Sequence, residues 1–156
     1  MSFFSTMRIS GSALTAQRLR TDVIANNIAN QGTTRSPGGG PYRRQQVIFA
    51  ARQQRLPFRD MLMVSRGLAG IAGVGPGAPP GAGVAAVFVG ADGKPARRVF
   101  EPDHPDADAE GFVLYPDIDP VTEMTNLLAA TRAYEANVTV LNAAKAMAAK
   151  ALEIGR

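Results

Sequence analysis

The chain contains no cysteine and no tryptophan, a single histidine, and few aromatics of any kind. Without thiols it can form no disulfide, no thiolate metal site and no cysteine nucleophile, and its redox compartment is left open. With aromatics at 6%, an aromatic-rich core is not what organises it. Lysine is scarce, since arginine outnumbers it fourteen to three. Long hydrophobic runs are missing too. "MSFFSTMRISGSALTA" has no cationic start, and Ser, Thr, Arg and Gly break each apolar run before it reaches signal-peptide length, so no secretory signal is visible. Residues 67–91 are uncharged and long enough to span a bilayer, but Pro76, Pro79, Pro80 and the surrounding glycines make a poor membrane helix.

What is present is an uneven charge. The 156 residues suit one domain, or a small domain with appendages, and carry a net +4. Residues 1–70 hold ten Arg against Asp22 and Asp60, whereas residues 71–156 hold seven basic against eleven acidic residues. Such a split suits nucleic acid, an anionic surface, or copies of the chain packed basic half to acidic half.

The C-terminal segment has the clearest pattern. Met124, Leu127, Thr131, Tyr134, Val138, Leu141, Lys145, Ala148 and Leu152 alternate in steps of three and four, a heptad seam. Asp119 is placed as N-cap, Pro120 as first helical residue, Glu123 in the first turn against the helix dipole, and Gly155 as a stop. A helix from Pro120 to Ile154 is a rod of roughly 50 Å at 1.5 Å per residue, long for so small a chain. A weaker helix is expected over residues 3–30, where Phe4, Met7, Gly11, Leu14, Arg18, Thr21, Ala25 and Ile28 repeat the same steps.

Between the helices the pattern changes. "QGTTRSPGGGP" is loop, while "YRRQQVIFAA" (42–51) and "PFRDMLMVS" (57–65) read as strands. Gly and Pro fill ten of the seventeen positions from 67 to 83, a stretch that cannot hold a helix. "VAAVFVG" and "ARRVFE" flank "ADGKP" as a β-hairpin, "EPDHPDADAEG" is an acidic loop, and "FVLYP" a last strand. The fold class expected is therefore α+β. Residues 1–31 and 119–156 pair as a coiled-coil-like helical domain, and residues 32–118 form a small β-rich domain inserted between them.

Catalysis has little foothold. Asp103, His104, Asp106 and Asp108 are the one cluster of metal-ligand types, but Pro102 and Pro105 keep it extended and there is no second histidine. "GAGVAA" (81–86) resembles a degenerate dinucleotide fingerprint, yet it precedes a strand instead of following one. No serine lies near His104 to act as nucleophile. No catalytic residue, metal, cofactor or small-molecule substrate is expected, and the chain reads as no enzyme. Arg35, Arg43, Arg44, Arg52, Arg55, Arg59 and Arg66 could neutralise phosphates, so a nucleic-acid-binding module using residues 35–66 is the alternative. Only Tyr42, Phe49 and Phe58 interleave with them, and no recognition helix or stacking pattern accompanies the run.

Asparagine is a poor interior helix residue, yet "DVIANNIANQGT" (22–33) carries three. Asn near a helix end can simply terminate it. Asp22, Asn26 and Asn30 also share a face, however, and amides so placed can bond to a neighbouring helix and fix its register. Asn137 and Asn142 are candidate partners on the C-terminal helix.

These features together resemble the axial proteins of the bacterial flagellum. "SALTAQRLRTDVIANNIANQGT" is similar to their N-terminal rod signature. "RRVFEPDHPDADAEGFVLYPDIDPVTEM" and "TRAYEANVTVLNAAKAMAAKALEIGR" resemble the FlgC-type proximal rod family, over about three quarters of the chain in all; the departure is residues 67–83. The resemblance implies a structural subunit of the basal-body rod, the drive shaft crossing the periplasm and enclosing the export channel. It implies export through the flagellum's own type III apparatus, without a cleaved signal peptide. It also implies helices in an inner tube with the middle domain outside. The implied partners are other proximal rod proteins, the distal rod protein, the membrane ring and export gate at the rod base, and copies of itself. The physical reading agrees, because an isolated pair of such helices is marginal and gains from packing many copies. Met7, Leu14, Asn26, Asn27, Ile28 and Asn30 are then the expected assembly interface on the first helix. On the second they are Met124, Leu127, Tyr134, Asn137, Val138, Leu141, Asn142 and Leu152. Arg43 and Arg44 are expected to meet acidic surface on a neighbouring subunit.

Overall fold

The computed structural model describes residues 3–52 and 83–154. Its elements in order are helix α1 (Phe3–Ala29), strands β1 (Gln45–Ala51), β2 (Val84–Ala91), β3 (Arg97–Phe100) and β4 (Phe112–Tyr115), and helix α2 (Pro120–Ile154). The α+β class holds. The strand expected at 57–65, most of the Gly/Pro stretch, Gly155, and Arg55, Arg59 and Arg66 lie outside the described residues. No described helix is long and apolar enough to cross a membrane.

The start of α2 and the end of α1 have local causes. The Asp119 carboxylate accepts the Val121 and Thr122 amides, each at 3.2 Å, and so caps α2 with Pro120 as its first residue. At the end of α1, the Asn30 side-chain amide donates to the Asn26 carbonyl at 2.9 Å and to its side-chain oxygen at 3.0 Å. The Thr33 hydroxyl then donates to the Asn30 side-chain oxygen at 3.2 Å. Asn26 and Asn30 therefore close their own helix and do not reach across to α2; the local bonds satisfy polar groups at the helix end.

α1 and α2 pack side by side. A hydrogen bond between Asn27, near the end of α1, and Glu123, in the first turn of α2, makes them antiparallel. α1 also contacts β1 and β2. The buried apolar residues among those described are few and small: Ala16, Val23, Ile24, Val113, Ala130 and Ala144. Half of them are alanines, which bring helices close but bury little apolar area.

The strands form two separate two-stranded antiparallel sheets, β1–β2 and β3–β4. The hairpin expected around "ADGKP" is thus corrected, since β2 pairs with β1 and β3 with β4. β1 offers β2 a seven-residue ladder backed by α1, extended by a 2.6 Å bond from the Asp92 amide to the Arg44 carbonyl. The same ladder is offset by a bulge between Ile48 and Phe49, which leaves Val87 unpaired. β3 instead gains an edge-to-face contact between Phe100 and Phe112, with centroids 5.3 Å apart, and the Arg98 guanidinium lies 4.5 Å over the Phe112 ring.

Candidate assembly interface

The site is built around a polar cluster where α1, β1 and α2 meet. The chain leaves α1 and returns through residues 33–42, closed by the Tyr42 amide on the Thr33 carbonyl at 3.0 Å. Gly39 and Gly40 turn that loop with φ of 81° and 75°, values that side chains resist. The return brings Tyr42, Arg44 and Gln45 onto the end of α1.

Asn27, 1% exposed, uses both ends of its amide. Its oxygen accepts the Gln45 amide at 2.9 Å and the Tyr42 hydroxyl at 3.0 Å. Its nitrogen donates to the Gln45 carbonyl at 2.9 Å and to Glu123 Oε2 at 3.2 Å. Asn27 thus pairs with both backbone groups of Gln45, as a neighbouring strand would. Glu123, also 1% exposed, receives Arg44 Nε at 3.0 Å and Nη2 at 2.6 Å on its other oxygen. Arg44 Nη1 lies 3.5 Å from Asp92. Burial, and then the Glu123 charge, push the Tyr42 hydroxyl above its ordinary pKa, which keeps it a donor.

A second close approach ties α1 to β2. The Ser12 hydroxyl donates to the Ile9 carbonyl at 2.7 Å and accepts the Val84 amide at 3.0 Å. Gly83, at φ +94°, packs so near that a Cβ there would clash with Ser12 Oγ.

The expected interface residues divide. Asn27 is buried in the cluster, and Met7, Leu14, Ile28, Asn30, Leu127, Asn137, Val138 and Leu141 are half-buried. Asn26, Met124, Tyr134, Asn142 and Leu152 are exposed. Asn137 donates to the Ala133 carbonyl of its own helix at 2.7 Å, so it is not the partner of an α1 asparagine. The fully buried positions of α2 are Glu123, Ala130 and Ala144. The expected seam therefore lies along the flank of the contact with α1, because alanines, not the larger Met and Tyr, permit the close approach.

On the other flank runs a stripe the seam pattern does not reveal. Ala129, Ala133, Ala136, Val140, Ala143, Met147, Ala151 and Ile154 follow each other in steps of three and four. All but Ala133 are exposed, Met147 at 67% and Ile154 at 86%. The cluster residues Tyr42, Arg44 and Glu123 were also not legible as a group. Glu123, Ala130, Asn137 and Ala144 do follow each other in steps of seven, so a carboxylate heading a face of small side chains was the available signal.

The acidic loop holds itself together. The Asp108 carboxylate accepts the Phe112 amide at 2.8 Å and the Glu110 amide at 3.0 Å and pairs with Arg98 at 3.4 Å. His104 Nδ1 accepts the Asp106 amide at 3.1 Å. Asp106 accepts the Thr34 hydroxyl at 2.7 Å and lies 3.8 Å from Arg35. Of the arginine run, Arg35, Arg43 and Arg52 are exposed, whereas Arg44 turns inward. The expectation that Arg44 meets a neighbouring subunit is corrected on that ground: a buried carboxylate already holds it.

Two family models match the chain. One, described as "Flagella basal body rod protein", covers residues 7–35. The other, "Flagellar basal body rod FlgEFG protein C-terminal", covers residues 109–154. Among similar proteins, the flagellar basal-body rod protein FlgC of Borreliella burgdorferi is 41% identical over 99% of this chain and 98% of its own length. That of Bacillus subtilis is 41% identical over the whole of both chains. That of Escherichia coli is 38% identical, again over the whole of both.

Proposed function

The chain belongs to the FlgC family of flagellar basal-body rod proteins, structural subunits of the rod, and we propose that α1 and α2 form the rod's inner wall while the β region lies outside. In that arrangement the helices pair in coiled-coil-like fashion as one inner domain, residues 1–31 with 119–156, and residues 32–118 form the outer one. The partners are other rod proteins. Within that class, we assign copies of the chain, the other proximal subunits, the distal rod protein, and the ring and export gate at the rod base.

The observation that carries the reading is the open apolar stripe of α2. A helix whose exposed flank presents Val140, Met147 and Ile154 has surface that α1 leaves uncovered. Packing against neighbouring helices of the rod would bury it. Ordering of the helix ends remote from the Asn27–Glu123 junction then accompanies assembly, because the core between the helices is built mostly of small residues. Torque passes through helix contacts, with no turnover chemistry. Delivery through the flagellum's own export apparatus is part of the same proposal.

The nucleic-acid reading finds no support in the family matches. The test is genetic and structural. Cells lacking this chain should build no rod, and cells whose chain lacks residues 141–156 should behave alike. A normal rod in either strain would remove the proposal.

A further inference from the structure

We propose that Asn27, Arg44 and Glu123 form a latch that fixes the helix pair to β1, so that the chain becomes fit for assembly only when three distant segments have met. The proposal rests on the rod reading for its biological readout, but its structural basis is independent of it. Asn27 comes from the end of α1, Arg44 from the strand entry and Glu123 from the first turn of α2. Glu123 is buried on partners from both other segments, Asn27 on Tyr42, Gln45 and Glu123, and the partly exposed Arg44 covers the second oxygen of Glu123. Glu123 alone would be a buried carboxylate with no partner, and Asn27 alone a buried amide with four unmade bonds. The cluster is therefore expected to close as one unit.

The side-chain types are specified by their bonds. Position 27 must donate to the Gln45 carbonyl and Glu123 while accepting from the Gln45 amide and Tyr42. Of the side chains, only a carboxamide offers two donor hydrogens together with an oxygen that accepts twice. Aspartate has the same shape but accepts only, and would set one carboxylate against another. Glutamine carries the amide one methylene too far to face Gln45. Because Asn27 pairs with both backbone groups of Gln45, it orients the first residue of β1 relative to α1. Asn27 and Glu123 act here as positioning residues.

The test uses the full chain in a strain deleted for it, with swimming and the rod content of isolated basal bodies as readouts. Asn27→Asp should abolish both. Asn27→Asp with Glu123→Gln should restore swimming, but only in part: the charge of the cluster is then as before and the carboxamide introduced on α2 can donate to the carboxylate introduced on α1, while the Gln45 carbonyl still lacks its donor. Asn27→Ala, Arg44→Met and Glu123→Ala should each lose as much as the triple variant, since a latch missing one member is open. Normal swimming with Asn27→Asp, no recovery in the double variant, or losses that add across the three sites would each overturn the proposal. Failure of the unaltered chain to restore swimming would instead count against the rod reading.

Discussion

The side-chain nitrogen of Asn27 lies 3.2 Å from Glu123 Oε2, joining two residues 96 positions apart at the point where α1 ends and α2 begins. One carboxylate oxygen of Glu123 takes this bond and the other takes Arg44. Stability at the junction therefore depends on keeping all partners, not on any single contact.

Replacing Arg44 with methionine should destabilise the folded chain by about 3 kcal/mol, the range for stripping one partner from a buried ion pair. Arg44 is only partly buried, so water entering beside Glu123 limits the loss. Arg43→Met, at an exposed position next door, should change stability by less than about 0.5 kcal/mol. Denaturant unfolding of the two variants measures the contrast. Equal effects would mean that the Arg44–Glu123 pair contributes nothing particular.

Much of this fold is legible in the sequence, and the misses have physical causes. Pro120 after Asp119 places the start of α2 to the residue, and the long steps of three and four carry it through Ile154. The end of α1 is read to within one residue because Asn30 and Gly32 both favour termination. Strand pairing is not legible, because "ADGKP" is compatible with a tight turn and only the competing ladder on β1 decides against it. The face of α2 packed on α1 is not legible in the heptad seam, because heptad reading favours large side chains, while that face is built on Ala130 and Ala144. Of the three asparagines, local spacing cannot say that Asn27 alone turns inward, since its partners Tyr42 and Gln45 arrive only after the loop has closed.

Gly83→Ala should cost about 1–3 kcal/mol, combining an unfavourable φ with a clash against Ser12. Ser12→Ala should cost about 1 kcal/mol, because the Val84 amide loses its acceptor. The double variant should lose less than the sum, as the two substitutions break one contact. Additive losses in thermal unfolding would show that the Ser12–Gly83 approach is not a shared constraint.

Acid should loosen the β3–β4 connection and the start of α2 in a defined window. The Phe112 amide, then the Glu110 amide and Arg98, hold the Asp108 carboxyl below the ordinary aspartate range. The Thr122 hydroxyl and the Val121 and Thr122 amides do the same for Asp119. A carboxylate with a depressed folded-state pKa contributes stability that is present above its unfolded pKa and lost as pH falls through the folded one. The contribution should therefore be complete near neutral pH and fade only below the usual carboxylate range. Asp108→Asn and Asp119→Asn should flatten that part of the acid unfolding profile. A profile unchanged by both substitutions would refute the assignment.

Met147→Asp should separate folding from assembly. Met147 is 67% exposed and lies on the open stripe of α2, so a charge there meets water in the single chain. Its effect on the stability of that chain should stay within about 0.5 kcal/mol. In a rod that buries the stripe, the same aspartate must either lose its hydration or force the helices apart, and the cost recurs in every copy. Swimming and rod yield should fall sharply while the chain remains abundant in the cell. Val140→Asp, seven residues earlier on the same stripe, should behave alike. Normal rods from both variants would mean that this flank faces water after assembly. The contacts of α2 would then have to come from the opposite flank, where Met124, Tyr134 and Leu152 stand exposed.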